Sequence, residues 1–131
     1  MKKLSFFFIS LLFGMVACTR EMPDSGQIAA TAAKEYYDLL LVGKYDEFMK
    51  GVNMPHKIPK TYYDQLILNT RMFIEQQNVE HKGIKSVDIL NAKADTAHHV
   101  ADVFLTLAYG DSTKEQIVVP MVEVAGTWKM R

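Results

Sequence analysis

The spacing of apolar residues changes its period near Gly83, and that change confines the chain to one class of fold. Before it, apolar residues recur at helical spacing, with Ala29, Ala32, Ala33, Tyr36 and Leu40 on one face from Gln27 onward. Asp24 or Ser25 is placed to cap this helix, and Gly43 ends it. Lys44–Met49 reads as a second, short helix before Gly51, and 52–59 as a loop. Pro59 is suited to the first position of a third helix, which the pattern predicts to reach about Asn78. Its expected buried stripe is Tyr63, Leu66, Ile67, Thr70, Phe73 and Ile74. After Gly83 the period falls to that of a strand. Ile84–Leu90 is the first, with a turn at Ala94-Asp95-Thr96, and Ala97–Tyr109 the second. Lys114–Val124 is the third, where Pro120 suggests an edge or a bulge, and Trp128 and Met130 anchor a fourth. On the second strand Ala101, Val103, Leu105, Leu107 and Tyr109 share one face, and His98, Asp102 and Thr106 the other. Helices followed by an antiparallel meander give an α+β fold, with the helices on one face of a curved sheet.

The first residues obey a different rule. Lys2-Lys3 precede an apolar run, Leu4–Phe13, that ends in small residues, the layout of an export signal. The run is shorter than the roughly 20 apolar residues of a spanning helix. Met15-Val16-Ala17-Cys18 resembles the lipobox of bacterial lipoproteins, in which the cysteine is acylated and becomes the mature N-terminus. That resemblance implies a leader over 1–17, a lipidated Cys18 with a short polar tether over 18–25, and a folded domain over 26–131. It also implies a lipid bilayer as partner and the cell envelope as location. Thr19 after Cys18 resembles the outer-membrane sorting pattern. One lipid chain holds weakly, whereas two give stable anchoring.

Charge and composition exclude several classes. The 15 basic and 15 acidic side chains cancel, and loss of Lys2 and Lys3 leaves the mature chain at −2. Nucleic acid is not an expected partner, since phosphate binding needs clustered Lys and Arg. A hydrophobic content of 49% is incompatible with disorder. The single cysteine excludes an internal disulfide and any multi-thiolate metal centre.

Catalytic signals are sparse. There is no Gly-x-Ser-x-Gly elbow and no glycine-rich phosphate loop. His98 and His99 are adjacent on a strand, so their rings point to opposite faces and cannot easily share an ion. His56 and His81 stand alone, and neither a metal nor a cofactor is expected. By strand parity His99 falls with Ala101, Val103 and Leu105, which makes it the one histidine or carboxylate on that strand's apolar face. It is the weak catalytic candidate. Tyr63, on the inward stripe of the third helix, and Tyr109, at the end of the second strand, join His99 as candidate ligand-binding residues.

Three segments carry a wider likeness. Tyr36–Asp46, the turn Ala94-Asp95-Thr96-Ala97 and the closing Gly126-Thr127-Trp128-Lys129-Met130 together resemble the NTF2-like (cystatin-like) superfamily, whose fold is a cone. More narrowly they are similar to DUF4878-type bacterial lipoproteins. The resemblance implies a fold and an envelope address but no activity. Three functions are therefore expected in turn. The first is a tethered, non-catalytic domain binding a small apolar ligand or an envelope protein. The second is a small isomerase or dehydratase using His99. The third is an architectural protein that pairs, as a homodimer or with another protein, through the sheet face bearing Val100 and Phe104.

Overall fold

The computed structural model describes residues 24–131; the leader, the lipobox and Cys18 lie outside the described residues. Three helices precede four strands: α1 (Ser25–Leu41), α2 (Tyr45–Lys50), α3 (Lys60–His81), β1 (Ile84–Asp95), β2 (Val100–Tyr109), β3 (Lys114–Val124) and β4 (Thr127–Met130). The strands form one antiparallel sheet in the order β1-β2-β3-β4, so each is paired with its chain neighbour. Helices lie on one face of the sheet, as the change of period requires.

Asp24 caps α1 by accepting a hydrogen bond from the Gln27 N–H at 2.8 Å. Ala29, Ala30 and Ala33, together with Gly26, are the buried residues of its first half. Side chains this small let the helix axis approach the sheet closely, so α1 touches all four strands. Beneath it Ala101, Val103, Leu105, Leu107 and Tyr109 of β2 alternate inward, with Val87, Val119, Met121, Trp128 and Met130 completing the core. Burying these side chains contributes roughly 1.5–3 kcal/mol for each of the larger ones.

The third helix behaves differently. Tyr63, Leu66, Ile67, Thr70 and Ile74 do face the protein, but they are only half-buried, and Phe73 is exposed. Gln77 is its one buried residue. With larger residues on its stripe, α3 lies beside α2 and β1 rather than across the sheet. It also starts one residue later than Pro59, which serves as its N-cap, and runs three residues past Asn78.

Two strand limits need correction. β1 continues through Asp95, five residues beyond Leu90, because a bulge at Leu90 restores pairing with Asn91 opposite Phe104. The turn accordingly falls at 96–99, and β2 begins at Val100 rather than Ala97. Pro120 lies on β3 opposite Asp102 of β2, next to the four residues Met121–Val124 that β4 pairs. β3 is thus an edge strand before that point.

The two outer edges of the sheet are treated unequally. The segment after α2 lies along β4: Val52 bridges Met130, the Met130 N–H donates to the Gly51 carbonyl at 2.7 Å, and the Asn53 N–H donates to the Met130 carbonyl at 2.7 Å. Gly51 is required there, since a Cβ would come within 2.5 Å of the Tyr36 ring. β1 has no such cover. Among the described residues no strand pairs with it on the side away from β2.

Candidate functional site

The open edge of β1 and the flank of α1 enclose a groove of about 790 Å³. Its helical wall is the outer stripe of α1, Asp24, Gln27, Ile28, Thr31, Ala32 and Glu35, which succeed one another at helical spacing. Its strand wall is Ile89, Asn91 and Ala92. Ile89 and Ala92 stand opposite Leu105 and Val103, both buried on the inner face, so they too point inward. α1 does not cover them fully: Ile89 is 43% exposed and Ile28 49% exposed. The walls meet at one end where buried Gly26 faces Ala92, at a separation that would place even a Cβ in ordinary contact, 3.6 Å from the Ala92 carbonyl oxygen. The groove floor is therefore apolar, and among the described residues the charged side chains that line it are two carboxylates, Asp24 and Glu35.

A smaller cavity of about 340 Å³ lies in the seam of the three helices, between Tyr37, Leu40, Phe48, Met49, Leu66 and Phe73. Tyr37 and Phe48 meet edge to face at 5.7 Å, and burial pushes the Tyr37 hydroxyl above its usual pKa. This space is the imperfect joint left where α3 stands off from α1.

The residues singled out in the sequence do not converge on either space. His99 is the main correction. It sits in the β1–β2 turn with φ of +56°, not on the apolar face of a strand, and its side chain is exposed. Its Nδ1 lies 3.1 Å from Glu123 Oε1 of β3. Strand parity failed because the turn occupies 96–99, so the count that placed His99 inward began inside the turn. His98 is held in the same turn by Asp95, with Nδ1 2.7 Å from Oδ2. Tyr63 is on the inward stripe of α3 but lines neither cavity; its hydroxyl donates to Asp46 Oδ1 at 3.0 Å. Tyr109 is core, donating its hydroxyl to Glu115 Oε2 at 2.6 Å. Burial first, then that carboxylate, push its pKa up to about 12.

Titratable groups do gather at one other place, the tip of the β2–β3 hairpin. The His81 ring stacks on Tyr109 with centroids 4.2 Å apart, and its Nδ1 lies 3.0 Å from Asp111 Oδ2. Thr113 and then His81 hold the Asp111 carboxyl down to about 2. The Gly110 N–H donates to the Gly83 carbonyl at 2.8 Å, and the Asp111 N–H to the His81 carbonyl at 3.0 Å. The hairpin tip thus clamps the C-terminus of α3. A sequence reading treats His81 as isolated, because its partner is 30 residues away. Neither cavity reaches this cluster. Among the described residues no group of three His, Cys, Asp or Glu side chains is placed to hold a metal ion.

The α1–β1 groove, missed in the sequence, has one retrospective signal: Ile28, Thr31 and Ala32 form a second, weaker stripe on α1 beside the buried one. Among the described residues the groove offers apolar contact, exposed strand backbone and negative charge, and no paired nucleophile and base lines it.

No protein-family model matches the sequence, and no curated protein matches it. Among solved structures, it is similar to a Campylobacter jejuni protein whose crystal structure carries the description NTF2-like transpeptidase. The two superpose with a TM-score of 0.61 over 75% of this chain and 92% of that one, at 13% sequence identity. At that identity the likeness speaks for architecture alone. Helices on one face of a curved four-stranded antiparallel sheet, shared with that neighbour, give this chain the NTF2-like fold.

Proposed function

We propose that the protein is a membrane-anchored envelope lipoprotein whose NTF2-like domain binds a small apolar ligand or a protein partner without transforming it. The observation that carries this reading is the α1–β1 groove, apolar along its floor and, among the described residues, lined by no paired acid, base or nucleophile. The lipobox-like Met15–Cys18 supports the anchor, with acylated Cys18 about six residues from the first groove residue, Asp24. That tether spans at most about 20 Å when extended, so it would hold the groove near a bilayer surface, on the outer membrane if Thr19 sorts as its pattern suggests. The likeness to DUF4878-type lipoproteins is part of the same proposal. The isomerase or dehydratase alternative draws no support from the site, since His99 lies in an exposed turn engaged with Glu123.

Native mass spectrometry tests the reading on protein expressed from the full sequence. The expected species begins at Cys18, carries acyl mass, and retains a further bound mass that Ile28→Asp removes. An N-terminus elsewhere, or a Cys18 without lipid, would end the anchoring proposal. A bound mass indifferent to Ile28→Asp would end the groove proposal.

One observation favours a second reading, the architectural one. On the outer sheet face Phe104 stands opposite Val118, which is 52% exposed, beside half-buried Val100 and Val122. Such a face pairing with a second copy would give a homodimer that Val118→Lys dissociates in sedimentation. A monomer before the substitution would dispose of it.

A further inference from the structure

We propose that the α1–β1 groove receives an extended peptide strand of a protein partner, which adds to the free edge of β1 and carries Lys or Arg among its inward-facing side chains. This inference rests on the binding reading above and names the class of partner for that site.

The backbone of β1 supplies the first argument. Each residue of an edge strand turns its N–H and C=O alternately toward and away from its neighbour, so half of the groups on β1 have no ladder partner among the described residues. The opposite edge of the sheet meets the same need within the chain, through Gly51, Val52 and Asn53. A fifth strand beside β1 would satisfy the remaining groups and extend the inner face under the flank of α1. The side chains of that strand that point inward would meet Ile28, Ala32, Ile89 and Ala92, which are now apolar and incompletely covered. This is strand addition, in which main-chain hydrogen bonds supply affinity and every second side chain supplies specificity.

Charge supplies the second argument. Asp24 and Glu35 line the groove, and among the described residues no Lys, Arg or His lines it. Glu35 lies eleven positions after Asp24 on a helix that touches all four strands, so the two carboxylates flank the groove without setting a register along β1. Along a strand, positions i, i+2 and i+4 face one way, so basic side chains at such positions point into the groove together. Their long, flexible stems reach the carboxylates, and an apolar residue between them meets the Ile28–Ile89 floor. The intervening positions face outward and are unconstrained. Bulk charge outside the groove does not contradict this: Lys93 and Asp95 lie on β1 beyond Ala92 and do not line the groove.

The test uses a blocked heptapeptide, acetyl-Thr-Lys-Thr-Val-Thr-Lys-Thr-amide, titrated by calorimetry into protein expressed from the full sequence and purified from whichever fraction holds it. Two further peptides are N-methylated, one at residues 3 and 5 and one at residues 2, 4 and 6, so that each removes one of the two alternating rows of amide donors. The proposal expects one methylated peptide to lose binding at least tenfold and the other to keep it. It expects the peptide with Glu in place of both Lys to bind at least tenfold more weakly, and Glu35→Lys to favour a peptide in which one of the two Lys is replaced by Glu. Equal binding of the two methylated peptides would overturn strand addition, and equal binding of the Lys and Glu peptides would overturn the charge pattern. Absence of binding at millimolar peptide would overturn the proposal. The binding reading itself would then stand or fall on the mass measurement with Ile28→Asp, which uses no peptide. A β1-to-β1 dimer that excludes the peptide would equally overturn it, in favour of a second copy as occupant.

Discussion

The two edges of the sheet show how one chain can finish a surface in one place and leave it open in another. At the β4 edge, Gly51, Val52 and Asn53 lie against Met130, and the Tyr36 hydroxyl donates to the Trp128 carbonyl at 2.7 Å. That edge is held by the segment after α2 and by Tyr36 of α1. At the β1 edge the strand is longer, carries a bulge at Leu90, and borders a groove whose apolar floor is half exposed. A bulge and flanking charges such as Lys93 are ways natural sheets restrain indiscriminate edge pairing. The difference teaches that the open edge is guarded rather than simply unfinished, which is what a selective docking edge requires.

Substitutions can break or sharpen that contrast. The largest effect is expected at the closed edge: Gly51→Ala places a Cβ against the Tyr36 ring, and thermal or denaturant unfolding should register a loss of about 3 kcal/mol. Tyr36→Phe, which removes only the bond to the Trp128 carbonyl, should lose about 1 kcal/mol in the same assay. At the open edge Ile28→Asp should change stability by about 0.5 kcal/mol or less, because Ile28 is a half-exposed surface residue. A large loss there would mean that the groove wall is part of the core and not a docking surface.

Acid tests the end of β1 that is secured, where Ile84 pairs with Tyr109 beside the α3 clamp. Asp111 is held down to about 2, below the ordinary 3.8, by Thr113 and then His81. Its contribution is therefore present in full above about pH 4 and is lost as pH falls through 2. Melting curves should show wild type and Asp111→Asn converging over that window. Tyr109 gives the opposite limb. Its pKa, pushed to about 12 by burial and then Glu115, makes its contribution complete below pH 10 and lost from 10 toward 12. Ultraviolet titration should find a late-ionising tyrosine that Tyr109→Phe abolishes.

Much of this fold could be read from residue spacing. The inward row of β2 from Ala101 to Tyr109, the alanine stripe of α1 and the order of elements follow from periodicity alone, since burial on one face leaves a regular trace. What spacing does not carry is how close two elements approach. α1 and α3 both show an apolar stripe, yet alanines and Gly26 let α1 lie on the sheet, while Leu66, Phe73 and Ile74 keep α3 at its side. Nor does it carry pairing that breaks its own period. The bulge at Leu90 lengthened β1, moved the turn to 96–99 and took His99 off the face that parity assigned it. The groove was hidden for both reasons at once: it lies where α1 meets β1 near Ala92, on the part of β1 that continues past Leu90.

Amide hydrogen exchange on the protein, with and without the lysine-bearing heptapeptide, examines the open edge most directly. The account predicts that peptide slows exchange at least tenfold within Ile89–Asp95 of β1, with little change along α3 around Leu66–Phe73. Protection confined to α3 and the seam beside it, or none on β1 at peptide concentrations that saturate binding, would contradict it.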